Sequence, residues 1–396
     1  MREVFPRLFF TYFYSLIVLS VVLIVQAIGA WMLLRTHWVA SSKSRKTTVL
    51  AAVPVSFCAI VLGFLLRFAR VNRYFPAGFS NWTRSAALTW AVLSVFLVLM
   101  FALSKLIPPS RKGTGIGRRE FLLAMRTAVV AAPAVVFGYG TLIERNAIEL
   151  REESILIPGL HPDLDGVRLV QLRDIHLSPF LSEKVLARAV EIANETRAHI
   201  ALVTGDLISI RGDPLDACLD RLARLRTGAG IFGCLGNHEI YADVEDYTTD
   251  RGAQLGIRFL RSAAQPLRFG AATLNLAGVD YQRMHSKYLI GAEAMIRNDP
   301  DGHTLNLLMS HNPDVFPTAV RQGWQLTIAG HTHGGQVNVE ILRRDMNIAR
   351  FFTPYTLGQY RLGVSSIYVS RGIGTIGVPI RLGSVPEVAL LTLRRA

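Results

Sequence analysis

The stretch Ile-Phe-Gly-Cys-Leu-Gly-Asn-His-Glu, residues 231–239, decides the fold of this chain. It begins as a short apolar run with the length and composition of a buried β-strand. The run ends at Gly236, a residue that suits a sharp exit from a strand, and polar side chains follow at once. In open α/β sheets, sites form beyond the carboxyl ends of strands. The stretch therefore predicts a strand that delivers Asn237 and His238 to a functional site.

The same pattern recurs along the second half of the chain. Asp or His follows four more predicted strands: Asp174 and His176 after residues 167–172, Asp206 after residues 200–204, His311 after residues 305–309, and His331 and His333 after residues 326–329. Residues two apart in an extended backbone project to the same side, so both members of a closely spaced pair can face one ion. Carboxylate, imidazole and amide ligands together suit a transition metal better than Ca²⁺ or Mg²⁺, which prefer oxygen shells.

The rest of this half alternates between predicted strands and helices. The remaining strands are residues 273–278 and 367–370, and the helices are residues 182–195 and 215–226. Alternation of this kind indicates a layered α/β domain. A polar joint at residues 149–154 precedes the domain, so we expect a membrane domain over residues 1–148 and a catalytic domain over residues 149–396.

The net charge of +14 belongs almost entirely to the first half of the chain. Up to Leu150 there are 17 Lys or Arg against 4 Asp or Glu, and the remainder has 26 against 25. A basic chain can bind nucleic acid, but here the positive residues flank apolar runs, as they do in loops beside membrane spans. We therefore expect a lipid bilayer as a partner and no nucleic acid.

Three apolar segments are long enough to cross a membrane. Residues 8–34, 49–66 and 86–107 contain no ionised side chain apart from Lys105 near the end of the third segment, and a spanning helix needs about 20 mostly apolar residues. Transport and proton relay generally need ionisable groups inside the membrane, so these spans favour a plain anchor over a transporter.

A fourth segment, residues 123–140, follows Arg118-Arg119-Glu120-Phe121-Leu122 and looks like a twin-arginine export signal. With four spans, the loops 35–48 and 105–119 would lie inside and carry nine Lys or Arg, against six in the outer pieces. Because positive loops tend to stay inside, we expect a multi-pass protein of the cell membrane with its catalytic domain on the extracytoplasmic face.

The motif order D-x-H, G-D, G-N-H-E, H and G-H-x-H resembles that of the calcineurin-like metallophosphoesterases. The resemblance runs from about Leu160 to Leu393 and includes Gly334-Gly335-Gln336 and a closing stretch from Ser370 to Glu387. Within that superfamily the chain looks most like the membrane-associated bacterial branch, which has exported members. The resemblance implies an α/β fold, a two-sheet αββα sandwich, here preceded by a bundle of about four transmembrane helices.

The resemblance also implies a role for each motif residue. One metal would be held by Asp174, His176, Asp206 and His333, and the other by Asp206, Asn237, His311 and His331, with Asp206 bridging the two. The cofactors would be two divalent or trivalent transition-metal ions (Mn, Fe or Zn), and a hydroxide that bridges both would attack phosphorus in line. His238 would be catalytic rather than a metal ligand, contacting the phosphate and helping the leaving oxygen depart.

Three arginines are candidates for binding the substrate. Arg173 stands where the family usually has Ser or Thr, and its guanidinium could bind phosphate or pair on the back of the strand. Arg343 and Arg344 follow the last motif and lie close to Phe351 and Phe352, so they could meet anionic lipid headgroups; a packed loop is the alternative.

These observations predict a membrane-anchored, metal-dependent phosphohydrolase. Its phosphorylated substrate would be a phosphomonoester, a phosphodiester or a pyrophosphate, a lipid-linked one included. The alternative is a membrane sensor or scaffold with a degenerate phosphoesterase domain, which the complete set of ligands disfavours. A transporter with a fused enzyme is disfavoured by the featureless spans.

Overall fold

The computed structural model describes residues 4–66, 68, 71, 74–107, 116–282, 289, 291–297, 302–338 and 347–396. The chain divides into two units, unit 1 over Met1–Tyr139 and unit 2 over Gly140–Ala396. The predicted boundary between residues 148 and 149 lies just inside unit 2.

The first part of the chain is helical. Its helices are α1 (Val4–Leu34), α2 (His37–Ala40), α3 (Lys43–Leu65), α4 (Ala77–Ser104) and α5 (Ile116–Leu142). Among the described residues, four stretches are long and apolar enough to span a membrane: Leu16–Leu34, Lys43–Leu65, Gly78–Ser104 and Glu120–Asn146. This confirms the prediction of four apolar N-terminal helices.

A small polar network links three of these helices. Gln26 of α1 donates to the Ser94 hydroxyl of α4 at 2.9 Å and accepts from the Ser56 hydroxyl of α3 at 2.8 Å. Hydrogen bonds between helices satisfy polar side chains for which a bilayer offers no partner. The polar side chain of Gln26 is therefore hydrogen-bonded within the helical bundle.

The described residues of unit 2 form two six-stranded sheets. The strands are β1 (Glu149–Ile157), β2 (Arg168–Leu172), β3 (Ile200–Thr204), β4 (Ile231–Cys234), β5 (Ile257–Phe259), β6 (Ala263–Phe269), β7 (Ala272–Val279), β8 (Thr304–Ser310), β9 (Leu326–Ala329), β10 (Gly358–Leu362), β11 (Ser365–Val369) and β12 (Glu387–Arg395). The helices are α6 (Glu183–Glu195), α7 (Leu215–Leu222), α8 (Asn237–Ala242), α9 (Glu245–Gln254) and α10 (Phe316–Gln322). The sheet orders are β1-β12-β2-β3-β4-β5 and β10-β11-β9-β8-β7-β6.

Alternation along the strands separates an inner core from the layers beneath the helices. In β2, Leu169 lies in the core between the two sheets, whereas Val170 and Leu172 pack with residues of α6 and α7. On the second sheet, Leu308 packs with Ala319 of α10. Helices thus cover both outer faces, and the predicted αββα sandwich is confirmed.

The direction of the strands determines at which end of each sheet the connecting loops lie. β2 to β5 are parallel, and so are β7, β8, β9 and β11. The loops after β3 and β8 meet, because His311 Nδ1 lies 2.8 Å from the Thr204 carbonyl oxygen. The β10–β11 turn lies at the opposite end of the second sheet, since Ser366 at the start of β11 pairs with Leu326 at the start of β9.

Two predictions about local structure are wrong. Residues 149–154 are not a joint: they belong to β1, which pairs in parallel with β12, and their charged side chains face outward because β1 is an edge strand. The helix predicted over residues 215–226 ends at Leu222, because the chain turns there and buries Leu225.

Candidate metal centre

Side chains from the carboxyl ends of four strands meet in two overlapping groups. Asp174, His176, Asp206 and His333 form one group, and Asp206, His311 and His331 form the other. Within each group, one ligand atom of every residue lies within 4.8 Å of the others. The structure therefore brings six of the predicted ligand residues together, with Asp206 common to both groups.

The distances within the groups suit cations. Asp206 Oδ2 lies 3.1 Å from His311 Nε2 and 3.5 Å from His176 Nε2. Two pairs of imidazole nitrogens also approach closely: His176 Nε2 lies 3.1 Å from His333 Nε2, and His331 Nδ1 lies 3.2 Å from His311 Nε2. Two imidazole nitrogens this close can share at most one proton between them, whereas a metal cation between them would accept both lone pairs.

Asn237 is the seventh predicted ligand, and it begins α8 directly after β4. Its side chain is buried, and its Oδ1 atom has no hydrogen-bond partner among the described residues. A buried carbonyl oxygen without a partner is costly, and coordination to a metal would satisfy it. The donor set of carboxylate, imidazole and amide oxygen thus fits a transition metal.

Five of the ligand residues have left-handed backbone conformations. The φ angles are 44° at Asp174, 48° at His176, 56° at Asp206, 75° at His331 and 52° at His333. The expectation that these pairs converge from an extended backbone is therefore wrong: they converge from tight bends beyond the strand ends. Non-glycine residues in this region are uncommon and cluster at functional sites.

Two glycines allow the loops after β3 and β4 to touch. A Cβ atom on Gly236 would collide with the Asp206 carboxylate, and one on Gly205 would collide with the backbone of Gly236. Close approach of these two backbones places Asp206 next to the start of α8. Glycine is needed at both positions for this reason.

Glu239 is a site residue to which the sequence analysis gave no role. Its buried carboxylate accepts hydrogen bonds from the backbone N–H groups of Asp206 at 3.0 Å, Leu207 at 2.7 Å and Gly236 at 2.7 Å. Burial and the nearby Asp206 raise its pKa, and these N–H groups oppose the shift. Glu239 ties the Asp206 loop to the start of α8. A Glu three residues after a helix cap is a recognisable sequence signal for this role.

The histidines differ in protonation. Burial lowers the pKa of His176 and of His331 to about 4, so both are neutral and able to bind a metal near pH 7. Burial also disfavours the charge of His311, but the Asp206 carboxylate outweighs it and raises the pKa of His311 to about 9. Metal binding at His311 would therefore release a proton.

Comparison with known proteins finds homologues along most of the chain, although no family model matches it. A transmembrane protein with a metallophosphoesterase domain from Danio rerio is 28% identical, covering 78% of this chain and 74% of its own. An uncharacterised metallophosphoesterase, YkuE of Bacillus subtilis, is 27% identical over 70% of this chain and 98% of its own. The chain is a homologue of metallophosphoesterases.

A third relative carries the name of an activity. Phosphodiesterase YaeI of Escherichia coli is 27% identical over 70% of this chain and 99% of its own length. Together with the buried cluster of Asp and His, these homologues confirm the prediction of a metal-dependent phosphohydrolase.

Arg173 is the residue at which the chain departs from the pattern of the family that its motifs resemble. Its side chain is fully buried, pairs with Asp174, and places Nε 3.2 Å from the Ser370 hydroxyl oxygen. Burial alone would raise the pKa of Asp174, but the Arg173 guanidinium, with nearby histidines, lowers it to about 2. These contacts favour pairing within the protein over binding of the substrate phosphate. Arg343 and Arg344 lie outside the described residues.

His238 lies beside the cluster but belongs to neither ligand group. Its backbone N–H donates to Asp206 Oδ1 at 2.9 Å, and its Nδ1 lies 2.5 Å from the Ser209 carbonyl oxygen. The ring packs edge-on to His176 with centroids 4.7 Å apart. Because a carbonyl can only accept, Nδ1 carries a proton, and Nε2 is the nitrogen left to meet a substrate.

Arg381 and Ser384 are further site residues that the sequence analysis missed. The fully buried Arg381 guanidinium donates to the backbone carbonyls of Gly372, Gly374, His333 and Ser384. The Ser384 hydroxyl also donates to the His333 carbonyl at 2.9 Å, and the Gly374 N–H donates to the Asp174 carbonyl at 2.7 Å. Both side chains therefore position the segments that carry Asp174 and His333.

We expect Ser384→Ala and Arg381→Lys to weaken metal binding by about 10- to 100-fold, as loss of groups that orient metal ligands typically does. Competition with a chelator on the purified full chain measures this. Ser384→Ala removes one hydroxyl and leaves no buried charge unpaired. A loss of metal affinity in this variant would therefore reflect the position of the ligands rather than a failure to fold. Thr248→Val, which removes a buried hydroxyl bonded to the Val244 carbonyl in α9, should leave the affinity unchanged. Unaltered affinity in both test variants would rule out the positioning role.

Proposed function

We propose that the chain is a membrane-anchored phosphoesterase that uses two transition-metal ions to hydrolyse a phosphomonoester, phosphodiester or pyrophosphate, including a lipid-linked one. The observation that carries the proposal is the position of Asp206. Its carboxylate belongs to both ligand groups, and a carboxylate has two oxygens with which to serve two ions. The ions would be Mn, Fe or Zn, in keeping with the mixed nitrogen and oxygen donors.

The residues of the site would have different roles in the reaction. Bound ions would supply a water of lowered pKa and neutralise charge on the phosphoryl oxygens. Asp206 and Asn237 would hold that centre at the carboxyl ends of the strands, with Glu239 fixing the backbone at Asp206. Buried, neutral His176 and His331 would contribute imidazole nitrogens without first losing a proton.

His238 would act on the leaving group. The Ser209 carbonyl holds its Nδ1 proton, which fixes the ring and directs chemistry to Nε2. A histidine so placed can give a proton or a hydrogen bond to the departing oxygen. The perpendicular contact with His176 keeps it beside the cluster.

The competing proposal is a sensor or scaffold with an inactive domain. A complete set of ligand residues speaks against it. Full-length protein in detergent, supplied with Mn, Fe or Zn, should hydrolyse a chromogenic phosphodiester. Treatment with a chelator should abolish the reaction, and adding the metal back should restore it. No turnover with any of these metals would favour the sensor.

We also propose that unit 2 lies on the extracytoplasmic face and that the region around Arg118 directs its export. A reporter that is active only outside the cytoplasm, fused by a linker after Ala396, should give a signal. Arg118→Lys/Arg119→Lys should abolish it if the twin-arginine route is used, whereas Arg84→Lys should not. A signal only from a cytoplasmic reporter would contradict the topology. Normal export of the double variant would contradict the export route alone.

A further inference from the structure

Two neighbouring aromatic side chains in unit 2 are almost fully exposed. Phe351 closes a short 3₁₀-helix, Ile348–Phe351, and Phe352 follows it. Their exposed fractions are 88% and 83%. Removing large apolar side chains from water is favourable, so an adjacent pair of exposed aromatic rings indicates a surface that binds a partner.

The pair extends from the edge of unit 2 at which the chain enters. Asn347, just before the 3₁₀-helix, forms an antiparallel bridge with Asn338. Asn338 N–H donates to the Leu382 carbonyl at 2.7 Å, and the neighbouring Arg381 N–H donates to the Gly140 carbonyl at 3.1 Å. The Phe351–Phe352 pair and Gly140 are therefore joined through three short stretches of backbone.

Gly140 belongs to the candidate span Glu120–Asn146. The residues of this span before Gly140 already supply the length of about 20 residues that crossing the hydrocarbon requires. Gly140 thus lies near the end of the crossing, and Leu142 and Ile143 beyond it are exposed and apolar. If this span crosses the bilayer, the backbone links from Gly140 to Arg381 and Leu382 would place this edge of unit 2 near the membrane surface.

The same edge carries part of the metal centre. Asn347 Nδ2 donates to the Gly334 carbonyl at 2.9 Å, and Gly334 directly follows the ligand residue His333. Arg350, which precedes the aromatic pair, has an exposed side chain. Exposed aromatic rings beside a positive charge are typical of surfaces that enter the headgroup region of anionic bilayers.

We propose that Phe351 and Phe352 insert into the interfacial region of the bilayer that anchors the chain, and so present the metal centre to phosphate groups at headgroup level. A lipid surface is the partner because the pair is linked by backbone to the end of a spanning helix. The substrate class would then be a membrane-embedded phosphoester, a part of the inference that rests on the proposed phosphoesterase activity.

The insertion is tested on the full chain in nanodiscs of phosphatidylcholine and phosphatidylglycerol. Phe351→Cys and Phe352→Cys, each in a Cys58→Ser background, are labelled with a polarity-sensitive fluorophore; Cys218 and Cys234 are buried. Val364→Cys is the matched control, because Val364 is an apolar side chain, 69% exposed, in the β10–β11 turn at the opposite end of the sheet. Lipids with spin-labelled acyl chains should quench the labels at 351 and 352 and spare the label at 364.

Two results would overturn the insertion: no quenching at either phenylalanine position, or equal quenching at all three positions. A blue-shifted emission in the absence of quenching would indicate a protein contact instead. A second measurement addresses the substrate. Phe351→Ser/Phe352→Ser should lose hydrolysis of a phosphoester embedded in the nanodisc and keep hydrolysis of a soluble phosphodiester. Equal losses on both would assign the pair to stability and overturn the proposal. If the unmodified chain hydrolyses neither, the proposed activity fails while the quenching result still decides the insertion.

Discussion

Asp206→Asn is expected to abolish turnover and leave the fold intact. The substitution removes one negative charge from the carboxylate that both ligand groups share, 3.1 Å from His311 and 3.5 Å from His176. Metal ions contribute several kcal/mol to stabilising the transition state, so a loss of about 10³-fold or more follows. Asparagine keeps the size of the side chain and tolerates the left-handed backbone at this position, which alanine would not.

The measurement combines turnover with metal content and thermal unfolding of the purified full chain. Wild-type protein should carry about two equivalents of Mn, Fe or Zn, and the variant should carry fewer. Asp216→Asn, at an exposed carboxylate that accepts from the Tyr247 hydroxyl, is the matched control and should be fully active. Full activity of a chelated, metal-free sample would refute the metal mechanism.

His238→Ala should lose rate without losing metal. His238 belongs to neither ligand group, and its Nδ1 is held by the Ser209 carbonyl, so the alanine variant keeps every metal ligand. Removal of a general acid typically costs about 10²- to 10⁴-fold in rate. Steady-state kinetics and metal analysis on the same preparation test both halves of this expectation.

The choice of substrate sharpens the test of His238. A leaving group that departs readily needs little help from an acid, so the loss in rate should shrink as the leaving group improves. His199→Ala, at a histidine whose Nδ1 accepts from the Arg168 N–H, should behave like wild type. Depletion of metal in the His238 variant would make this residue a ligand and overturn its assignment.

The buried strands and the residues at their ends could be predicted from the sequence. β3 and β9 have the predicted bounds, because a run of apolar residues between turns leaves few alternatives to a fully buried strand. Parallel strands then bring their carboxyl ends to one edge, which is why Asp174, Asp206 and His331 converge although they are far apart in the sequence.

The features that the sequence did not reveal depend on contacts between distant segments. β1 reads as polar, because it is the edge strand of its sheet and its charged side chains face outward. Arg381 could not be recognised as a site residue from the sequence, because only the folded chain buries it against the His333 loop. The left-handed bends at the ligand positions likewise come from hydrogen bonds between loops, such as that from Asp174 N–H to the Gly205 carbonyl at 3.1 Å.

The placement of β12 between β1 and β2 has a consequence for how the protein comes to be folded. Glu149 pairs with Glu387, so β1, the first strand of unit 2, cannot pair until β12 at the far end of that unit has been synthesised. Closing so long a loop is slow, and during synthesis the edge of β2 that β12 later covers stays open to other chains. Truncation before Glu387 should therefore yield protein that aggregates or is degraded, however complete its set of metal ligands.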